Sequence, residues 1–301
     1  MTFLTNLPAF LSDRYAAALA PLPAGLAWCA AQVRSRITSS LLFAIVLIAL
    51  GAYSTGANAA KDCKNTVYLT FDSGHMEIAP LVAAVLKRQN VKVTFFAANE
   101  RTKVGDGSLG DHWAPWWKAR AAEGHEFASH TYDHVYLRGE LPGAEPAFRV
   151  LPTAGALEGR ELNWGPKQYC EQLADAAQRL QHVSGKKPLP LFRAPGGTTS
   201  PRLLAAARSC GFAHVSWSPA GLLGDEMPSE KVSNEALLKK ALRDIKRGDI
   251  LMAHLGVWSR KDPWAPTVLE PLIMGLKDKG FCFATLREHP AYSAWLATAG
   301  Q

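Results

Sequence analysis

The stretch "YLTFDSGHME", residues 68–77, joins a run of β-formers to an acid, a hydroxyl, a glycine and a histidine. Tyr68, Leu69, Thr70 and Phe71 have the character of a buried strand. Asp72-Ser73-Gly74 is a turn signal, and helix-like sequence follows from Met76. In parallel α/β architectures, the C-terminal tips of strands carry the chemistry. The fold therefore depends on whether other strands end the same way.

Outward from this stretch, strand-like and helix-like blocks alternate. Six more short β-rich runs follow: 91–97, 125–130, 188–193, 212–217, 249–254 and 281–286. Amphipathic helical patterns lie between them, at 79–90, 169–183, 200–210 and 234–248. Repeated β-then-α units call for parallel strands with helical crossovers. Seven strands in about 230 residues fit an α/β barrel, or barrel-like sheet, better than two open domains. Residues 102–113 and 136–165 read as irregular loop insertions.

The N-terminal 60 residues stand apart. No charged residue occurs from Ile37 to Ala60, "LLFAIVLIAL" (41–50) follows Arg34 and Arg36, and "ANAA" (57–60) offers small residues for cleavage. This is the pattern of a secretory signal, with an apolar core short for a bilayer span. Residues 1–60 are expected to be an extension with a cleaved signal or a membrane anchor through 37–60. Residues 61–301 are expected to be one catalytic-type domain, periplasmic or extracellular and possibly held at the inner membrane. Residues 1–60 contain three basic residues and one acidic, so the remainder has a net charge of +5, against +7 for the whole chain. A basic exported protein suits an anionic envelope polymer, a merely soluble basic domain equally so, and nucleic acid is not an expected partner. Cys63, Cys170, Cys210 and Cys282 remain, an even number that allows three disulfide connectivities. No CxxC spacing suggests a zinc-cysteine site.

Three further strand ends carry functional side chains. "HTYDH" places His130 and His134 four residues apart, which on a helical turn puts both on one face. Two imidazoles in that relation suit zinc and related divalent ions; a hydrogen-bonded surface pair is the plain alternative. "RAPGG" puts Arg193 at a strand tip before Pro195 and Gly196, where a structural ion pair is the competing reading. "ILMAH" ends in His254, and a lone histidine there is more often structural. Together with Asp72, however, these residues would meet in one pocket of a barrel.

"TFDSG", "HTYDH", "RAPGG" and "LMAH", in this order, resemble the successive motifs of the polysaccharide deacetylases with a NodB homology domain, carbohydrate esterase family 4. The resemblance spans about 66–286. It implies a distorted seven-stranded (β/α) barrel and a hydrolase of the N-deacetylase type, acting on carbon–nitrogen bonds of a glycan with a divalent metal, zinc foremost. It implies Asp72 as general base, Arg193 as the residue holding it, and His254 as the acid that protonates the leaving amine. It implies His130 and His134 as metal ligands, with Ser73 at the third-ligand position. Trp217 resembles the wall of the acetyl pocket, with Pro195 and Gly196 beside it as substrate-binding residues.

Two positions depart from the family pattern. Ser73 stands where the family has a second aspartate, so the metal shell lacks its expected carboxylate. Water could bridge Ser73, His75 could turn inward, or Asp72 could coordinate instead. No aspartate follows Trp217 in register, which leaves Asp225, on a shifted loop, to orient His254. The leading reading is an exported metal-dependent deacetylase of peptidoglycan, an exopolysaccharide or a chitin-like oligomer. The second is a catalytically impaired carbohydrate-binding protein on the same fold, and a weaker third is an amidase acting on a non-sugar amide. His125 is expected to be structural, and Asp133 to cap the turn. The tryptophans of 112–118 are expected to pack, and Trp258 and Trp264 either to pack or to stack on sugar.

Overall fold

The computed structural model describes residues 63–299. In chain order its elements are β1 (Thr66–Asp72), α1 (Ala79–Arg88), β2 (Thr94–Ala97), α2 (Ala114–Ala122) and β3 (Glu126–Ser129). Then come β4 (Val135–Glu140), β5 (Phe148–Pro152), β6 (Leu162–Trp164), α3 (Pro166–Ser184), β7 (Leu191–Phe192) and α4 (Pro201–Ser209). The last are β8 (Ala213–His214), α5 (Asn234–Asp244), β9 (Ile250–His254), α6 (Leu269–Asp278), β10 (Cys282–Phe283) and α7 (Pro290–Thr298). The expected signal or anchor lies outside the described residues. Among them, no helix is long and apolar enough to cross a membrane.

Seven strands form one parallel sheet, in the order β10-β1-β2-β3-β7-β8 with β9 also on β1. All seven runs expected from the sequence are in it. β1 is central because every residue from Val67 to Asp72 is buried. Such a strand must be apolar on both faces when helices cover the sheet. Its tip pairs with β2 on one side and β9 on the other, which sets Asp72 opposite His254.

The ladder is open between β8 and β9, and the chain leaving β8 spans that opening. Ser218 N–H donates to the Ile250 carbonyl at 3.0 Å, Met252 N–H to that of Gly221 at 2.8 Å, and Leu223 N–H to that of Met252 at 3.2 Å. The architecture is thus α/β, a barrel-like sheet of seven parallel strands whose ladder is interrupted along this seam.

The helices begin and end where the sequence places caps. Ser200 and Ser233 accept from the N–H groups of Leu203 and Ala236 at the starts of α4 and α5. Gly185 takes the left-handed conformation that ends α3. The main core joins β1, β2 and β9 to α1, α5 and α6. Each large apolar side chain buried there contributes about 1.5–3 kcal/mol.

Residues 136–165, expected to be irregular, form most of an antiparallel three-stranded sheet, β4-β5-β6. Val135, Leu137, Phe148 and Val150 turn inward and pack on Tyr169, Leu173 and Leu203. That alternation is written in "VYLRGE" and "FRVLP", but glycine and proline between and around these runs conceal it. Residues 102–113 are mostly turns, as expected, closing in a short 3-10 turn at Asp111–Trp113.

The disulfides are Cys63–Cys282 and Cys170–Cys210. The first ties the chain's entry to β10, and the second ties α3 to the end of α4.

Candidate active site

The strand tips converge on a cleft of about 540 Å³, lined among others by Asp72, Ser73, Glu100, His130, His134, Trp217 and His254. At the tip of β1, Asp72 is 3 % exposed and Arg193 is fully buried. Arg193 Nη1 donates to Asp72 Oδ1 at 2.6 Å, and its guanidinium lies over the Phe96 ring at 4.1 Å. Burial works to raise the Asp72 pKa, but the charges of Arg193, His130 and His254 outweigh it and hold the carboxyl below its ordinary range. Asp72 is therefore a carboxylate at neutral pH.

His130 and His134 do not share a helical turn. The segment is a tight turn in which Thr131 and His134 adopt positive φ, 59° and 48°. Such backbone is uncommon for these residues and recurs at functional sites. Thr131 Oγ1 accepts from Val135 N–H, and Gln172 of α3 accepts from Asp133 N–H and donates to its carboxylate. The two rings still meet, with centroids 5.0 Å apart.

Their tautomers follow from their partners. His130 Nδ1 lies 2.9 Å from the Arg193 carbonyl oxygen, which can only accept, so Nδ1 has the proton. His134 Nδ1 donates to Thr153 Oγ1 at 2.6 Å, because that hydroxyl already donates to the His134 carbonyl. Both Nε2 lone pairs are left facing the cleft. Burial pushes His130 down to about 4, so its ring is neutral at pH 7.

At the opposite side, His254 is held by the carboxylate of Asp225. Asp225 takes the His254 backbone N–H at 2.7 Å and the Nδ1–H at 3.1 Å. Burial alone would lower the His254 pKa; the Asp225 charge and hydrogen bond, with Asp72 and Glu226 behind them, push it up to about 9. Nε2 therefore offers a proton to the cleft at neutral pH. The shifted-loop carboxylate considered from the sequence is the one that orients this histidine. Asp225, Glu226 and His254 bring potential ligand atoms within 4.8 Å of one another. With Nδ1 bonded to Asp225, this trio is organised around a proton. Burial and neighbouring Asp225 push the Glu226 carboxyl up.

Several expectations change here. Ser73 Oγ accepts from Ala98 N–H at 2.9 Å and donates to Glu100 Oε2 at 2.6 Å, so the hydroxyl at this edge of the cleft anchors a carboxylate. His75 does not turn inward: its ring nitrogens bond the Val257 carbonyl and the Glu77 N–H. Pro195 is buried and absent from the cleft lining, whereas Gly196 and Trp217 belong to it. Gly196 has φ 66°, and a Cβ there would lie 2.4 Å from the Tyr136 ring. Trp113 and Trp117 are buried, and so is Trp264, while Trp258 is 58 % exposed at the cleft rim. His125, as expected, is structural: Nδ1 accepts from Val93 N–H, and burial depresses it to about 4. Glu100 was missed, since "AANE" has no motif to mark it.

The family model for polysaccharide deacetylase matches residues 59–215, just over half of the chain. The chain belongs to the polysaccharide deacetylase family. Among relatives of this deacetylase-family chain is a chitooligosaccharide deacetylase of Azorhizobium caulinodans, 24 % identical over 233 residues, covering 74 % of this chain and 93 % of that one. A family 4 acetyl xylan esterase from Clostridium thermocellum, solved with a cobalt ion, superposes with TM-score 0.55 at 22 % identity, covering 76 % and 91 %. A family 4 pseudoenzyme from Bacillus anthracis superposes with TM-score 0.54 at 18 % identity, covering 75 % and 65 %.

Two imidazoles and two carboxylates, the donor types a divalent ion takes, line this one cleft as two close pairs. His130 Nε2 lies 3.6 Å from Asp72 Oδ2, and His134 Nε2 lies 3.9 Å from Glu100 Oε1. In each pair a lone pair faces a carboxylate oxygen with no hydrogen between them. Two ligand atoms on one zinc ion are roughly 3–4 Å apart.

Proposed function

We propose that this chain is an exported, metal-dependent deacetylase that hydrolyses N-acetyl groups on an envelope or extracellular glycan. The observation that supports it is the pairing across one cleft of Asp72, held ionised by Arg193, with His254, held protonated by Asp225. A base and an acid facing the same space are what amide hydrolysis needs.

Asp72 takes a proton from the attacking water, and Arg193 keeps its carboxylate charged and fixed. His254 gives the Nε2 proton to the departing amine, with Asp225 stabilising the imidazolium. His130 and His134 would hold the metal, which when bound polarises the acetamide carbonyl and lowers the pKa of water. Trp217 and Gly196 border the space beside Arg193 where the acetyl methyl would lie. At the rim, Trp258 offers an exposed aromatic face for a sugar.

The full chain, supplied with chitooligosaccharides and peptidoglycan fragments, is expected to release acetate, to lose this with a chelator, and to regain it with zinc or cobalt. Glycan binding that ignores chelator, with no acetate from any substrate, would favour the impaired binding protein instead. Export is tested by fractionation and N-terminal sequencing, with a mature start near residue 60 expected.

A further inference from the structure

We infer that Glu100 is the carboxylate of the metal site, completing with His130 and His134 the ligand set that Ser73 leaves short, while Asp72 stays free to act as base. This rests on the reading of the cleft as a metal-dependent deacetylase site and names the residue on which that reading turns.

Glu100 lies beyond β2, on a loop built to hold it still. Its N–H donates to Ser108 Oγ at 2.9 Å, and its carbonyl accepts from Ser108 N–H at 2.9 Å. Ser108 is itself fully buried and donates its hydroxyl to the Ala98 carbonyl at 2.5 Å. On either side, Asn99 N–H donates to the Tyr132 carbonyl at 2.7 Å, and Leu109 N–H donates to Asn99 Oδ1 at 3.1 Å. The backbone of Glu100 is therefore fixed against the same turn that holds the two histidines.

The side chain is fixed too. Ser73 Oγ donates to Oε2 at 2.6 Å, which leaves Oε1 directed at His134 Nε2, 3.9 Å away. A serine at the tip of β1 is too short to bring a charge to the ion, but it can hold a longer carboxylate arriving from the neighbouring strand. The missing charge is thereby replaced from β2, and the hydroxyl becomes its support. Outer partners of this kind orient metal ligands and tune their affinity.

An independent observation points to a cation between these groups. His130 is 3 % exposed, its Nδ1 proton is engaged by the Arg193 carbonyl, and its Nε2 has no hydrogen bond among the described residues. That lone pair faces the cleft 3.6 Å from Asp72 Oδ2, and two such lone pairs repel unless a proton or a cation lies between them. Asp72 does not serve as well as Glu100 for the ligand role, because its Oδ1 is bonded to Arg193, whose positive charge would oppose an ion on that carboxylate.

The test is zinc affinity of the full chain, measured by chelator competition and metal content per chain, for wild type, Glu100→Gln, Glu100→Asp and His130→Ala/His134→Ala. Wild type is expected to hold one zinc ion. Glu100→Gln, which keeps the shape and the bond to Ser73, should weaken it by more than the 10–100-fold typical of lost outer partners. Adding Ser73→Asp to Glu100→Gln should recover stoichiometric zinc by returning a carboxylate to the tip of β1. Glu100→Asp keeps the charge but draws it back, and should weaken zinc by at least about tenfold; it serves if the glutamine variant misfolds. Wild-type affinity in both Glu100 variants, with zinc lost in the histidine variant, would overturn the Glu100 assignment and leave the deacetylase reading standing. No zinc in wild type would overturn both.

Discussion

Arg193 Nη1 stands 2.6 Å from Asp72 Oδ1, and neither side chain is open to solvent. The two residues are 121 positions apart in sequence, yet each makes the other tolerable in the core. Removing one partner of such a pair leaves an uncompensated buried charge. Arg193→Ala should destabilise the protein by about 3–5 kcal/mol, read as a shifted denaturant midpoint. Asp72→Asn, which leaves the Arg193 charge buried without its partner, should abolish acetate release and lower stability as well. Equal stability of wild type and Arg193→Ala would contradict the pairing.

The alkaline side of the pH–rate profile should belong to His254. Its proton is needed on the leaving amine, so kcat/KM is expected to fall as pH rises through about 9. Asp225→Asn removes the largest charge that opposes burial, and the fall should move to lower pH. An unmoved alkaline limit in that variant would assign the proton to another group. Stability has the same sign: the raised pKa contributes fully below the unfolded value of about 6.5 and is lost as pH climbs through about 9.

Trp258 packs edge-on against His75 and has Arg101 over its ring at 5.1 Å. An exposed indole at the rim, away from Asp72 and His254, should bind substrate without entering the chemical step. Trp258→Ala is expected to raise KM for oligosaccharides several-fold with kcat little changed. A loss confined to kcat would remove it from the binding surface.

Gly74 follows the departures at the tip of β1, and a Cβ there would lie 2.1 Å from the Gly256 carbonyl oxygen. His75 N–H donates to that same carbonyl at 3.1 Å, joining the loops after β1 and β9. Gly74→Ala should therefore separate these loops, costing about 1–3 kcal/mol and most of the activity, because Asp72 and His254 sit at their bases. Thermal unfolding and acetate release, measured together, check this.

The parallel seven-stranded sheet is legible in the chain alone, because buried strands read as apolar runs and helices bear their caps in the chain. Its strand ends also mark Asp72, His130, His134, Arg193 and His254, which a parallel sheet brings to one face. The sequence did not reveal the β4-β5-β6 sheet, whose alternation is short and broken by turn residues. It suggested a helical relation for His130 and His134, whereas a left-handed turn pinned by Gln172 sets them together. What Ser73 bonds to emerges only in the folded chain, since a hydroxyl can be ligand or support depending on what faces it. The same holds for Asp225, 29 residues before His254, and for Glu100, 27 residues after Ser73. Carboxylates have no periodicity to reveal their partners. Their roles come from which strand tips the sheet makes neighbours, and that is a property of the folded chain.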